Sequence, residues 1–294
     1  MQIVKLGEKL NGPVVVCLGF FGCMHAGHAE LVKRAKLRAR MTNAKVALFT
    51  FSNNHLQVLK RDSTVVYTFE ERLSIYQSLG IDYVITATFD DEFKKLTGKQ
   101  FLSQFERYDL QGVVCGYDHC CGKDHLDAMG IRKFFKDPPV YIVEEQVCVS
   151  GEKISTSLIK QLLSYNQIER VNNLLSEPFF VIGKVVKGKG IGRTLGFPTA
   201  NISYPAEKLL PSGVYGGVTV IDGVSYRLIV KIGQSPTFDV SSTCEAHIIG
   251  FDGDLYGKTI KISLTKFLRS VYKFNSSEKL AMQLQLDKEC VLND

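Results

Sequence analysis

The chain has 294 residues, 45% of them hydrophobic and 22% charged, with a formal net charge of +6. That length allows about one to three domains and the hydrophobic share supplies their cores, which excludes a disordered chain. No apolar run approaches the roughly 18 residues of a membrane span. The amino terminus MQIVKLGEKLNG carries no secretory h-region, and eight scattered cysteines read as reduced thiols rather than a disulfide framework, so a cytoplasmic protein is expected.

In chain order, Val14 to Phe21 is a short, almost wholly apolar run, as a strand buried on both faces of a parallel sheet requires, and Ala29 to Arg40 follows with helical character. Between them stands His25-Ala26-Gly27-His28. A strand, a small-residue turn and a helix amino terminus make an anion site, because the first helical amides lack partners. Imidazoles there can donate to a phosphate as charge develops on it. Lys33, Arg34, Lys36, Arg38 and Arg40 cluster on the helix and read as a solvated face in preference to an RNA-binding surface, so nucleic acid is not an expected partner. Strands near Lys45, Tyr83, Val113 and Val140 alternate with helical stretches such as Phe69 to Leu79, the spacing of a parallel α/β sheet. Cys115, His119, Cys120, Cys121 and His125 offer metal-binding side chains, yet adjacent Cys120 and Cys121 do not form the spaced pairs of a structural zinc site.

After Ser176-Glu177-Pro178 the pattern changes, which predicts a domain boundary between 1–175 and 179–294. Strands near Phe180, Val214, Tyr226, His247 and Ile260, with turns at Asp222-Gly223 and Asp252-Gly253, predict a small antiparallel barrel. Ser276 to Lys288 reads as a closing helix with Asn275 and Glu278 in capping-box spacing. The run from Gly183 to Asn201, GKVVKGKGIGRTLGFPTAN, combines backbone-freeing glycines with Lys187, Lys189 and Arg193. Glycine-rich turns gather amides into anion-binding concavities, and cations favour a polyphosphate. Thr199 and Asn201 offer neutral hard oxygens that suit Mg²⁺ when nucleotide phosphates supply the negative charge.

The whole string resembles the ATP-binding motif of riboflavin kinases, the module that forms the carboxy-terminal half of bacterial bifunctional FAD synthetases. Gly213 to Gly216 (GVYG), Ile232 to Phe238 (IGQSPTF), Glu245 to Gly257 (EAHIIGFDGDLYG) and Leu268 to Phe274 (LRSVYKF) follow in that module's order. Likewise GFFGCMHAGHAEL from Gly19, VVCGYDHCCG from Val113 and ISTSLIK from Ile154 are similar to the FMN adenylyltransferase module, a member of the nucleotidylyltransferase superfamily with its HxGH signature.

The resemblance implies a Rossmann-like nucleotidylyltransferase domain followed by a riboflavin kinase barrel. It implies that ATP and Mg²⁺ serve two reactions, riboflavin to FMN and then FMN to FAD with release of pyrophosphate. In the kinase half it makes Glu245 the general base, Gly188, Gly190, Gly192, Arg193 and Pro198 the ATP loop, Thr199 and Asn201 the metal ligands, and Arg269 a flavin-end residue. In the first half it makes His25 and His28 catalytic, Gly19, Phe21, Gly27, Ser155, Thr156 and Lys160 ATP-binding, and Gly116 and Asp118 flavin-binding. Departures from the pattern are Gly22 for Asp, Cys23 for Gly, Ser52-Asn53-Asn54 for Asp-Pro-His, His119-Cys120-Cys121 for aromatic-Arg-aromatic, Lys160 for Arg, Lys231 for Asn and Val271 for an acid. Two competing readings are a riboflavin kinase with an inactive first domain and a flavin-sensing RNA-binding regulator.

Overall fold

The computed structural model describes residues 1–147, 151–188, 192, 196–233 and 243–293. It divides into two compact units, Met1–Thr156 and Ser157–Asp294.

The first unit is a six-stranded, wholly parallel sheet: β1 (Gln2–Lys5), β2 (Val14–Leu18), β3 (Lys45–Phe51), β4 (Tyr83–Ala87), β5 (Leu110–Gly116) and β6 (Val140–Val143), in the order β1-β4-β3-β2-β5-β6. β2 is buried along its length because it lies centrally in the sheet, which is why its sequence is continuous Val-Val-Val-Cys-Leu rather than alternating. β3 and β4 build outward on one side of β2 and β5 and β6 on the other, so the strand order reverses between β2 and β5. Crevices at the carboxyl ends of strands at such a reversal are where open α/β sheets bind ligands. The edge strand β1 adds to β4 and was not expected, since only Val4 of its four residues is buried and the apolar signal is correspondingly thin.

Helix α1 (Ala26–Thr42) buries Leu31, Val32, Ala35 and Ala39 and ends where Asn43 turns left-handed. Its basic residues are in part spent on docking: Arg38 donates to the Gln111 carbonyl at 2.8 Å, Arg34 stacks over Tyr141, Lys36 donates to the Leu79 carbonyl and Lys33 pairs with Glu30. Two short helices, α2 (His55–Val58) and α3 (Phe69–Ser78), follow β3. α3 opens on a complete capping box between Thr68 and Glu71. Helices α4 (Gly98–Ser103) and α5 (Ala128–Phe134) bracket β5.

In the second unit α6 (Thr156–Ser164) and α7 (Ile168–Leu174) lead into the barrel, and α7 packs on its last strand. The barrel is closed and antiparallel, ordered β10-β11-β8-β7-β12-β9, from β7 (Phe180–Val186), β8 (Ala200–Ser203), β9 (Gly213–Ile221), β10 (Val224–Gly233), β11 (Thr243–Ile248) and β12 (Thr259–Arg269). Closure removes every unpaired edge. The β9–β10 hairpin turns on Asp222 and Gly223, both at positive φ, as expected of that dipeptide. The last helix, α8 (Ser277–Leu292), lies on the outer face, where Val291 packs with Val214 and Ile229.

Three local expectations are corrected, and one strand is added. The first apolar run stops being strand at Leu18, because Phe21 and Met24 take positive φ. The turn expected at Asp252-Gly253 is replaced by two that flank it, at Ile249-Gly250 and Tyr256-Gly257, with Gly250 at φ +76° and Gly257 at φ +78°. The cap of α8 is Ser276, which accepts from the Lys279 amide, rather than Asn275. β8 is a short strand that the glycine-rich run conceals.

Two candidate nucleotide sites

At the reversal between β2 and β5 lies a cavity of about 340 Å³. Its walls include Gly19, His25, Gly27 and His28 after β2, Gly116, Asp118, His119 and Cys120 after β5, and Lys153, Ser155 and Thr156 beyond β6. The residues expected in the first half therefore converge, with two exceptions. Phe21 is fully buried behind the wall, its ring 5.1 Å from that of His28. Lys160 lies half-buried on α6, in the second unit.

The loop from Gly19 to Met24 is held in its strained shape from three sides. Thr50 Oγ1 donates to the Phe20 carbonyl at 2.6 Å, Tyr76 donates to the Phe21 carbonyl at 2.9 Å, and buried Arg72 reaches Thr50 Oγ1 at 2.8 Å and the Phe51 carbonyl at 2.9 Å. Non-glycine residues at positive φ cost on the order of 1 kcal/mol each, and these buried bonds offset that cost. Motif reading missed Thr50, Arg72 and Tyr76. Their signal would have been a buried-face arginine and tyrosine four apart on α3.

His25 caps α1, its Nδ1 accepting from the His28 amide at 3.4 Å, and the two imidazoles stack with centroids 3.8 Å apart. Burial lowers the His25 pKa to about 4, with Asp118 opposing and Lys153 adding to the shift. Burial, reinforced by the neighbouring His25, also pulls His28 well below its ordinary value. Both rings are neutral at pH 7, so each can donate one N–H without carrying charge. The cation at the rim is Lys153, also missed in the sequence, which donates to Asp118 Oδ2 and Tyr117 Oη at 2.6 Å each and is held protonated by those bonds.

On the barrel, residues far apart in sequence fall on one register line. Arg269, Val214, Lys231, Glu245, Asn201 and Val186 are successive Cα partners across β12, β9, β10, β11, β8 and β7. Directly paired residues share a face, and Ile232, Cys244 and Ile202 beside them are core, so this line runs over the outside of the barrel. Four strand spacings of about 4.8 Å put Arg269 and Asn201 roughly 19 Å apart along it. Lys231 Nζ sits 3.6 Å from Glu245 Oε1. At the Asn201 end a Cβ on Gly188 would lie 2.0 Å from Asn201 Nδ2, and one on Gly192 would lie 2.3 Å from the Phe197 carbonyl and 3.3 Å from Thr199 Oγ1. Gly192 is thus required by the close approach of the Phe197 carbonyl, and Gly188 packs directly on the end of the Asn201 side chain, which would have to move for any Cβ. Gly190 and Arg193 lie outside the described residues, as does part of the IGQSPTF segment.

Thr199 and Pro198 line a separate cavity of about 500 Å³ with Phe251 to Tyr256; Glu245 is not in its wall. His247, unremarked in the sequence beyond its strand, fixes this corner: its Nδ1 lies 2.9 Å from the Pro198 carbonyl and its ring meets Phe197 edge-on. Arg269 is gripped bidentately by buried Asp287 of α8, at 3.1 and 2.8 Å, and stacks over Tyr272.

Comparison with known proteins accounts for both halves. An FAD synthetase family model matches residues 7–158, and a riboflavin kinase model matches residues 175–293. The chain belongs to the FAD synthetase family. A bifunctional riboflavin kinase/FMN adenylyltransferase of Bacillus subtilis is 31% identical over 94% of this chain and 90% of its own length. The Escherichia coli protein so described is 28% identical over 97% and 94%. A solved structure described as a macrolide-efflux protein from Streptococcus pneumoniae has a TM-score of 0.91 at 28% identity over 99% of both chains. That description belongs to that protein; among the described residues here no helix is long and apolar enough to cross a membrane.

Proposed function

We propose that this FAD synthetase phosphorylates riboflavin to FMN on its barrel and adenylylates FMN to FAD in its parallel-sheet cavity, both with ATP. The observation that carries the reading is the presence of both family modules, in order, along one chain. We take the functional domains as 1–175 and 179–294, and the cytoplasm, where ATP and flavins meet, as the location.

For the kinase step Glu245 accepts the proton of the ribityl 5′-hydroxyl as that oxygen attacks the γ-phosphorus, while the glycine loop and Arg193 hold the triphosphate and Arg269 the flavin end. Its place on the register line between Lys231 and Asn201 supports this role. Thr199 and Asn201 would hold Mg²⁺, and the fit is supported by the chemistry of their neutral hard oxygens and by the glycine backbone that packs close to both side chains. The ion would neutralise charge on the β- and γ-phosphate oxygens.

For the adenylyl step the FMN phosphate attacks the α-phosphorus of ATP and pyrophosphate leaves. Neutral His25 and His28 donate N–H bonds to the α-phosphate oxygens, the α1 amides add to them, and Lys153, Ser155 and Thr156 line the rest of the cavity. Gly116 and Asp118 receive the flavin, with Asp118 pre-oriented by Lys153. Incubation with riboflavin, ATP and Mg²⁺ followed by separation of the flavins tests the reading: FMN then FAD is expected. Absence of FMN would overturn the kinase assignment, and FMN without FAD the second activity.

A further inference from the structure

Beside His25 and His28 of the cavity wall stands Cys23, a buried thiol that neither reaction uses. Cys23 is 1% exposed and His25 8% exposed, and one ligand atom from each of Cys23, His25 and His28 lies within 4.8 Å of the others. Among the described residues this is the cluster of three or more histidine, cysteine or carboxylate side chains whose ligand atoms converge. The Nδ1 atom of His28 is buried and has no hydrogen-bond partner among the described residues, so the cluster contains an unsatisfied lone pair or N–H. Cys23 Sγ lies 3.4 Å from Thr156 Oγ1, which puts a hydroxyl beside the thiol.

We propose that Cys23, His25 and His28 bind one Zn²⁺ ion, and that its occupancy holds adenylyl transfer off while leaving riboflavin phosphorylation running. A thiolate with two imidazoles is a soft and borderline donor set, which selects Zn²⁺ over the hard, oxygen-seeking Mg²⁺ that accompanies ATP. Tetrahedral zinc with bonds of about 2.3 Å to sulfur and about 2.0–2.1 Å to nitrogen places its donors roughly 3.3–3.7 Å apart, so side-chain shifts of about 1 Å close the site. A ligated ion lies near the plane of each imidazole, so binding splays the stacked rings by rotation of one side chain. Whichever His25 nitrogen ligates, the long bond from the His28 amide is given up, since its Nδ1 is then either metal-bound or protonated. The Cys23 S–H loses its proton to solvent as the S–Zn bond forms. Three protein ligands leave a fourth position for water. With both rings held by the ion, neither can turn its N–H toward an α-phosphate, and this is the origin of the inhibition.

The metal site stands on geometry alone, whereas the inhibition rests on the roles proposed for His25 and His28. Co²⁺, a spectroscopic stand-in for zinc, is titrated into the purified full-length protein without nucleotide. One equivalent with thiolate-to-metal charge-transfer absorption is expected, displaced by Zn²⁺. In Cys23→Ser the absorption disappears and Zn²⁺ affinity falls at least tenfold. Wild type without that absorption, or Cys23→Ser with it intact, overturns the site whether or not any FAD is made. With Zn²⁺ bound, FAD formation from FMN should fall at least tenfold in wild type at an unchanged rate of FMN formation; FAD formation at the full rate overturns the inhibitory role.

Discussion

The two sites proposed for the same cosubstrate are built of opposite materials. In the parallel-sheet unit the donors are neutral, buried imidazoles and helix amides at a crevice between strands, braced from behind by Thr50, Arg72 and Tyr76. On the barrel they are a carboxylate, a lysine and an amide in one row on the outer face, partly open to solvent, with an arginine at the far end locked by α8. The difference teaches where each site is vulnerable. A buried neutral site fails through packing and protonation; an open charged row, on the roles proposed, fails through loss of the carboxylate of Glu245.

The sharpest division between the two is chemical. Glu245→Gln should lower FMN formation by about 10² to 10⁴, the usual contribution of a general base, with the barrel's melting temperature little changed. Near-normal turnover would remove Glu245 from that role. His28→Ala should lower FAD formation from FMN by about 10² to 10³, the cost of one donor at a developing charge, with riboflavin phosphorylation intact. A rate within a few fold of wild type would place the donor elsewhere.

Packing separates the units next. A Cβ on Gly22 would lie 2.6 Å from the Phe20 ring, which is itself held over Arg72 at 4.7 Å and edge-on to His55 at 4.2 Å. Gly22→Asp, although it introduces the family's usual acid, should destabilise the first unit by about 1–3 kcal/mol and slow FAD formation. Adding Phe20→Ala should recover part of the loss, and thermal melting of both variants checks this; an unchanged melting temperature for Gly22→Asp would contradict the packing account.

Protonation separates them further. Burial lowers His25, His55 and His119 to about 4 and pulls His28 down as well, whereas His247 is the histidine so shifted in the barrel. An unfolded chain protonates its imidazoles near 6.5, so their contribution to stability is complete above that value and is lost as pH falls from 6.5 toward 4. Proteolysis across that window should cut first within residues 14–143. Equal loss of both units would refute the assignment.

The smallest effect expected concerns Lys231, whose ion pair with Glu245 is half-exposed and worth about 0.2–1 kcal/mol. Lys231→Asn should change riboflavin turnover by no more than about fivefold, since about 1 kcal/mol is a factor of about five. A loss approaching that of Glu245→Gln would make Lys231 part of the chemistry.

The sequence carries the two sites unequally. The barrel loop was legible because its glycines, Thr199 and Asn201 are contiguous, and the strand containing Glu245 is marked by alternation. The register line itself was not, since it depends on pairing between residues as far apart in sequence as Val214 and Arg269. In the first unit the sheet was legible from apolar runs and the cavity-lining histidines from their motif, yet the residues that shape the loop come from β3 and α3. The cysteine and histidine cluster around Cys121 drew attention as a possible metal group, while the side chains that converge are at Cys23, His25 and His28. Spacing along a strand-to-helix turn with positive-φ residues does not reveal which atoms meet.

The claim that two independent sites share this chain is tested most directly by the rate of FAD formation from supplied FMN, ATP and Mg²⁺ in the Glu245→Gln variant. The account predicts the wild-type rate, because FMN enters after the step proposed for Glu245. A loss of FAD formation as large as the loss of FMN formation from riboflavin would contradict it.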